Sequence, residues 1–349
     1  MCHSQQAIRL QFSIMETMEW LPNITTDTFA VLRRPVSSTE VKEYRQRTGL
    51  SRWSLWFDVS PTDMVLLAVA WVVFCVGLAV LMPLVARWLV LIVMISILAA
   101  TSIMVFFRAS ERAIRRHVRM ADFASRCGLA YDPIGNIGAI GTGLVFDVGY
   151  SRHYRGVLSY EHAGQRLLEV GRYEYTVGNG KHRRTYSWYY AGLRLPRQVP
   201  HLVLDSISNN GTLLGKALIS NLPVVISNSQ RISLEGDFDK YFTLYAPKQY
   251  EVDVRYILTP DVMAALVDQS SHFDIELVDD MAFFYALQSE KSDDQMFGDI
   301  FTVLTVAGRE LYRQVDRYTD DRVAGGRSSN AVAEQGRRLK KWIRPAILQ

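Results

Sequence analysis

The sequence predicts an α+β protein: a two-helix transmembrane hairpin followed by a mostly antiparallel β domain with flanking helices. Three observations predict it. Two apolar runs, residues 64–82 and 88–107, each reach the roughly 20 residues that a bilayer core demands of a helix. Arginines crowd the outer ends of both runs, while the turn between them offers Arg87 alone. From Leu144 onward, short segments alternate apolar and polar residues between turn signals.

Five segments follow in order: a cytoplasmic N-terminal segment with a short juxtamembrane helix (1–60), the hairpin (61–107), a juxtamembrane helix (108–127), a cytosolic β-rich domain (128–322) and a flexible basic tail (323–349). Residues 1–30 show no clear pattern, and Met15 or Met18 is an alternative start. No apolar signal segment precedes Cys2, which argues against a lipoprotein. Ser37 and Glu40 stand at capping-box spacing, so a helix is expected over Ser38–Thr48, stopped by Gly49. Ser60, Pro61 and Asp63 suit the start of the first membrane helix. Trp88 suits an interfacial anchor, and Arg87 can snorkel.

Orientation follows from the flanking basic residues. Arg45, Arg47 and Arg52 precede the first run, and Arg108, Arg112, Arg115, Arg116 and Arg119 follow the second. Both termini are therefore expected on the cytoplasmic side of the inner membrane, with Arg108, Arg112, Arg115 and Arg116 at the lipid surface. The runs contain no Asp, Glu, Lys or His, which disfavours a transport path. Ser96, Ala100 and Gly77 are small residues through which membrane helices could pair into a homo-oligomer.

In the β domain, Leu144, Phe146 and Val148 alternate, and residues 167–175 and 185–195 read as strands. Gly178-Asn179-Gly180-Lys181 between them is a hairpin turn signal. Residues 201–204, 223–226 and 231–234 add short strands. Residues 273–278 and 282–286 are expected to pair across Asp279-Asp280. A helix starts at Thr259 and Pro260, and residues 250–258 fit either strand or helix. Residues 295–320 carry helical apolar spacing, as does the segment from Arg108 to Cys127, which Gly128 ends. Gly135, Gly138, Gly141 and Gly143 have the wrong spacing for a dinucleotide fingerprint and read as a flexible loop.

Chemistry is sparse. The formal net charge of +4 is too mild for a nucleic-acid binder. The three cysteines, Cys2, Cys75 and Cys127, share no disulfide or zinc spacing. Nucleophile-elbow, phosphate-loop and zinc-protease motifs are absent, and no cofactor is implied. The histidines are scattered, His201 and His272 among them. Glu235, Asp237 and Asp239 are weak metal candidates that lack the rest of a calcium loop. The most suggestive patch is the hairpin tip, where Lys181, Arg183 and Arg184 precede Trp188. Basic residues beside aromatics can hold phosphates or lipid headgroups. In the tail, Arg338, Lys340, Lys341 and Trp342 suit a membrane surface.

Several phrases occur together: Gly180-Lys181 through Trp188, Leu195-Pro196, and Pro200-His201-Leu202-Val203-Leu204-Asp205. They continue through residues 234–242, 250–266 and 273–285. The set resembles an uncharacterised family of bacterial membrane proteins. That resemblance covers roughly residues 167–287 and the preceding anchor. It implies a bacterial source and a two-helix anchor with a cytosolic domain, and it carries no activity. The functional expectation is a membrane-anchored binding or scaffold module. Its partners would be the bilayer, anionic headgroups or another protein. A tethered enzyme without a recognisable motif is the alternative.

Overall fold

The computed structural model describes residues 26–50, 69, 71–73, 87–135, 140, 142–213, 217–288, 293–320, 338–339 and 343–345. The chain divides into two compact units, residues 30–123 and residues 1–29 with 124–349.

The smaller unit is helical. A short helix, α1 (Thr26–Ala30), leads into it through a 3-10 turn at Val31–Arg33. Helix α2 (Ser38–Thr48) begins with the expected capping box: Ser37 accepts from the Glu40 N–H, and Glu40 accepts from the Ser37 N–H. Gly49 ends it at φ 66°, in the left-handed region. Helix α3 (Arg87–Arg126) is one rod of 40 residues. Val36, Val41, Tyr44 and Leu50 pack against Ala113, Ile114 and Val118 of α3. Arg34 bridges Glu40 (2.7 Å) and Asp122 (2.8 Å), tying the segment before α2 to α3.

The transmembrane hairpin is overturned. Among the described residues, no helix is long and apolar enough to cross a membrane. The first run, 64–82, lies outside the described residues apart from Val69 and Trp71–Val73. The second, 88–107, is the front half of α3, which continues without a break to Arg126. The integral-membrane reading is therefore withdrawn.

The larger unit is built on a seven-stranded sheet. It comprises β1 (Ala130–Asp132), β2 (Tyr150–His162), β3 (Gln165–Val177), β4 (Arg184–Ser206), β8 (Arg231–Ile232), β9 (Phe242–Tyr245) and β10 (Asp274–Leu287). Every pairing is antiparallel. Strand β4 is central: β10 follows one edge, while β3 and then β9 occupy the other. Outside this sheet lie β5 (Gly211–Leu213) paired with β6 (Ala217–Ile219), and β7 (Val224–Ile226) paired with β11 (Ile343–Pro345). Helices α4 (Glu251–Ile257) and α5 (Pro260–Ser270) precede β10. After β10, α6 (Asp293–Val303) continues through a π-turn (Leu304–Gly308) into α7 (Arg309–Asp316).

Three strand expectations are corrected. Residues 144–148 form a turn rather than a strand, and Phe146 there fills the centre of the core. Its ring stands 4.9–5.9 Å from Tyr154, Tyr173, Tyr190, Phe283 and Tyr285. The segments 185–195 and 201–204 are one strand of 23 residues that runs through Pro196 and Pro200. The prolines are tolerated because the register with β10 slips at both places, where β4 needs no ladder N–H. Asp279-Asp280 is not a hairpin turn but the kink of the continuous β10, with Asp279 at φ 53°. The two bulges lie at the prolines, so both strands bend together.

Candidate functional site

Among its described residues the larger unit buries four carboxylic side chains: Glu169, Asp205, Asp274 and Glu276. Burying a carboxyl is costly unless its oxygens are satisfied, so each implies a dedicated set of donors. Glu169 takes Tyr190 Oη (2.6 Å) and Arg166 (2.6 Å). Glu276 takes the Leu144 N–H (2.7 Å) and Tyr285 Oη (2.9 Å), with His201 Nε2 at 2.9 Å from its other oxygen, off the hydrogen-bond axis. Gly143 permits that closure: a Cβ there would stand 1.9 Å from Tyr285 Oη. Burial, with Glu276 beside it, holds the Tyr285 phenol well above its usual range, so it remains a donor.

Asp205 and Asp274 are arranged differently. Asp205 ends β4 and Asp274 opens β10, two strands that pair side by side. Asp274 accepts the Ser206 N–H (2.9 Å) and the Asn209 amide (3.1 Å), and Asn221 donates to it as well. Burial, and then the nearby Asp205, push its carboxyl well above the usual range. Burial also raises Asp205 to about 6, against the pull of hydrogen bonds from Ser220 and Asn210.

In front of these carboxyls opens a groove of about 410 Å³. Asn209, Asn221 and His272 form its polar lining, Phe273, Ala286, Leu287 and Met296 its apolar lining, with Gln288 and Asp299 completing the rim. Its size and mostly apolar wall with a few fixed polar groups fit a small-molecule site. His272 Nδ1 is held by Ser208 Oγ at 3.1 Å, and Ser208 also donates to the Ser271 carbonyl (2.6 Å). The two asparagines turn their amide nitrogens to Asp274. Their Oδ1 atoms, and Asp205 Oδ1, have no hydrogen-bond partner among the described residues.

The residues singled out from sequence lie elsewhere. Lys181, Arg183 and Arg184 are exposed on a 3-10 turn at the β3–β4 tip. Trp188 is not with them. It is 1% exposed in the aromatic core, and its Nε1 donates to Tyr175 Oη at 3.3 Å. Strand alternation explains the correction: Trp188 and Tyr190 share the inward face. Asp239 accepts from Ser233 Oγ and the Leu234 N–H (3.3 Å), and Asp237 pairs with Lys240 (2.7 Å). Glu235 is exposed, and among the described residues no acidic, histidine or cysteine group could hold a metal. Arg115 is engaged by the Val36 carbonyl and Glu111 (3.0 Å) rather than by a surface partner, whereas Arg108 and Arg112 are exposed and Arg116 half-buried. Arg338 pairs with Asp279 at 2.5 Å, so this part of the tail is docked, not free. Lys340, Lys341 and Trp342 lie outside the described residues.

The fold and groove define a β-sheet domain that carries, among the described residues, a polar-ended, mostly apolar cleft. No family model and no curated protein matches the chain. Among solved structures, the crystal structure of the mycobacterial trehalose monomycolate transport factor A, TtfA, is similar over 58% of this chain and 98% of its own, at 12% identity and a TM-score of 0.36. A likeness at that score carries no argument about function.

Proposed function

We propose that the larger unit is a binding module whose groove takes a ligand with an apolar body and a hydrogen-bond-donating head. The observation that carries this reading is the pair of asparagine amides. Asp274 fixes both nitrogens, so both oxygens are left as acceptors, and an unsatisfied buried acceptor costs free energy that a donor recovers. Asp299 on the rim favours a cationic or neutral head over an anion. Binding is favoured over catalysis because Asp205 and Asp274, the carboxyls with raised proton affinity, do not line the groove. A general acid or base must reach its substrate by a hydrogen bond.

A fluorescent dodecylammonium probe tests this, with a dodecanoate of the same length as control. Saturable binding of the ammonium probe is expected. The Asn209→Leu/Asn221→Leu double variant should weaken it about tenfold or more, at roughly 1 kcal/mol per hydrogen bond. Met296→Arg should abolish it by obstructing the apolar wall. Equal binding to wild type and both variants sinks the reading.

The hairpin tip supports a second contact. Lys181, Arg183 and Arg184 project from a turn fixed between two long strands, and no acidic side chain among the described residues pairs with them. Such a tip suits an anionic, phosphate-bearing surface.

A further inference from the structure

The C-terminal segment sits on the larger unit as a bound peptide would. Leu339 is fully buried among Leu144, Val203, Leu222, Val224 and Ile226, and Ile343 packs on the same cluster. The Leu339 N–H donates to His201 Nδ1 at 3.3 Å. Arg338 forks onto Asp279, Nε to Oδ1 at 3.3 Å and Nη2 to Oδ2 at 2.5 Å. Then β11 adds to β7 in antiparallel register, Ile343 opposite Ile226 and Pro345 opposite Val224. Among the described residues β7 has no other strand partner, so the tail completes an open edge.

Each receiving element belongs to the domain rather than to the tail. Asp279 owes its position to the β10 kink, where a non-glycine residue is held at φ 53°. Aspartate tolerates that region better than most residues, and its carboxylate there meets the arginine fork. His201 presents an acceptor nitrogen because its other nitrogen faces Glu276. The contact as a whole is small: one buried leucine, one ion pair and three residues of ladder. In sequence, residues 317–337 separate it from the end of α7. A contact this small is one that a competing segment with the same anchors can displace.

We propose that β7, the Leu339 pocket and Asp279 form a peptide-docking site, filled here by the chain's own tail and open to another protein's segment of the same pattern. That pattern is Arg-Leu followed, four residues after the leucine, by an isoleucine that starts an extended stretch. The tail then acts as a tethered competitor. It is released when a partner offers the same anchors at sufficient concentration.

The test uses a labelled peptide of residues 336–347 titrated into the full-length chain, read by fluorescence anisotropy. The full-length Leu339→Asp variant, whose tail cannot fill the pocket, should bind the peptide about tenfold or more tighter than wild type, because a tethered competitor works at millimolar effective concentration. A peptide carrying Leu339→Asp should not bind either chain. Asp279→Asn, placed in the Leu339→Asp chain, should weaken the unaltered peptide by removing the charge from the fork. Should the Leu339→Asp chain fail to fold by circular dichroism, full-length Arg338→Asp serves in its place, since that side chain is 37% exposed. Equal affinity of wild type and the tail variant, or undiminished binding of the altered peptide, overturns the proposal.

Discussion

Strand β10 carries two buried carboxylic side chains on one face, Asp274 and Glu276, and the protein uses them in opposite ways. Glu276 is enclosed on all sides: a backbone N–H and a phenol donate to one oxygen, and the His201 imidazole lies 2.9 Å from the other. Asp274 also has donors, but two of them are asparagines that line a groove and whose buried Oδ1 atoms have no partner among the described residues. Burial alone does not separate the two, since both are at most 1% exposed. What separates them is where the polar network ends. A network that closes on itself fixes packing, and one that ends in unsatisfied acceptors at a cavity is ready for a ligand.

The largest effect expected from this contrast is at Glu276. Replacing it with Ala leaves the Leu144 N–H and Tyr285 Oη in a dry core without that acceptor, and removes the carboxylate beside His201. A loss of about 3–5 kcal/mol in urea unfolding is expected, with Glu276→Gln costing less because one acceptor survives. If Glu276→Ala unfolds within 1 kcal/mol of wild type (roughly one hydrogen bond), the closed network is not what holds this end of the sheet.

The next effect is a pH dependence, and its sign is fixed. Folding raises Asp205 to about 6 by burial, whereas in the unfolded chain it titrates near the ordinary carboxylate value of about 4. Between those values the folded state binds more protons, so stability is full below about pH 4 and falls as pH rises to about 6. About 2–3 kcal/mol should be lost over that window, with Asp274 adding a further loss at higher pH. Asp205→Asn should flatten the slope between pH 4 and 6. An unchanged slope would assign the titration to other groups.

A smaller effect sharpens the comparison from the groove side. Asn209→Ala removes the donor to Asp274 and the free acceptor together. Stability should change by about 1 kcal/mol or less, while dodecylammonium binding falls about fivefold. A mutation that unfolds the protein without touching probe affinity in the folded fraction would make Asn209 structural, like Glu276.

Local signals in the sequence were legible where the chemistry is local. Ser37, Glu40 and Gly49 mark α2 at both ends, and Gly178 to Lys181 mark the β3–β4 turn. Signals that depend on partners misled. Pro196 and Pro200 look like strand breakers until β4 bulges at them against β10, and Asp279-Asp280 looks like a turn until β4 bends with it. Apolar run length with flanking arginines suggested a membrane hairpin, whereas among the described residues no helix is long and apolar enough to cross a membrane. The groove was illegible because its residues come from the end of β4, the loops around β5 and β6, the start of β10 and α6. One clue was present: Asp274 and Glu276 alternate with Ile275 and Leu277 at the start of β10, an acidic face that must find donors.

The smallest effect on stability is expected at the β3–β4 tip, where Lys181, Arg183 and Arg184 are exposed and Trp188 a few residues on is buried. Changing all three basic residues to Gln should move urea unfolding by no more than about 0.5 kcal/mol, as for surface sites away from caps and cores. Binding to vesicles containing phosphatidylserine should nevertheless fall by about a hundredfold, at roughly 1 kcal/mol per basic residue near an anionic surface. The two readouts together separate a functional surface from a merely solvated one. Loss of vesicle binding with intact stability assigns the tip to an anionic partner. Retention of both would leave the tip a solvated turn, and the groove beside Asp274 as the place where this domain meets its ligand.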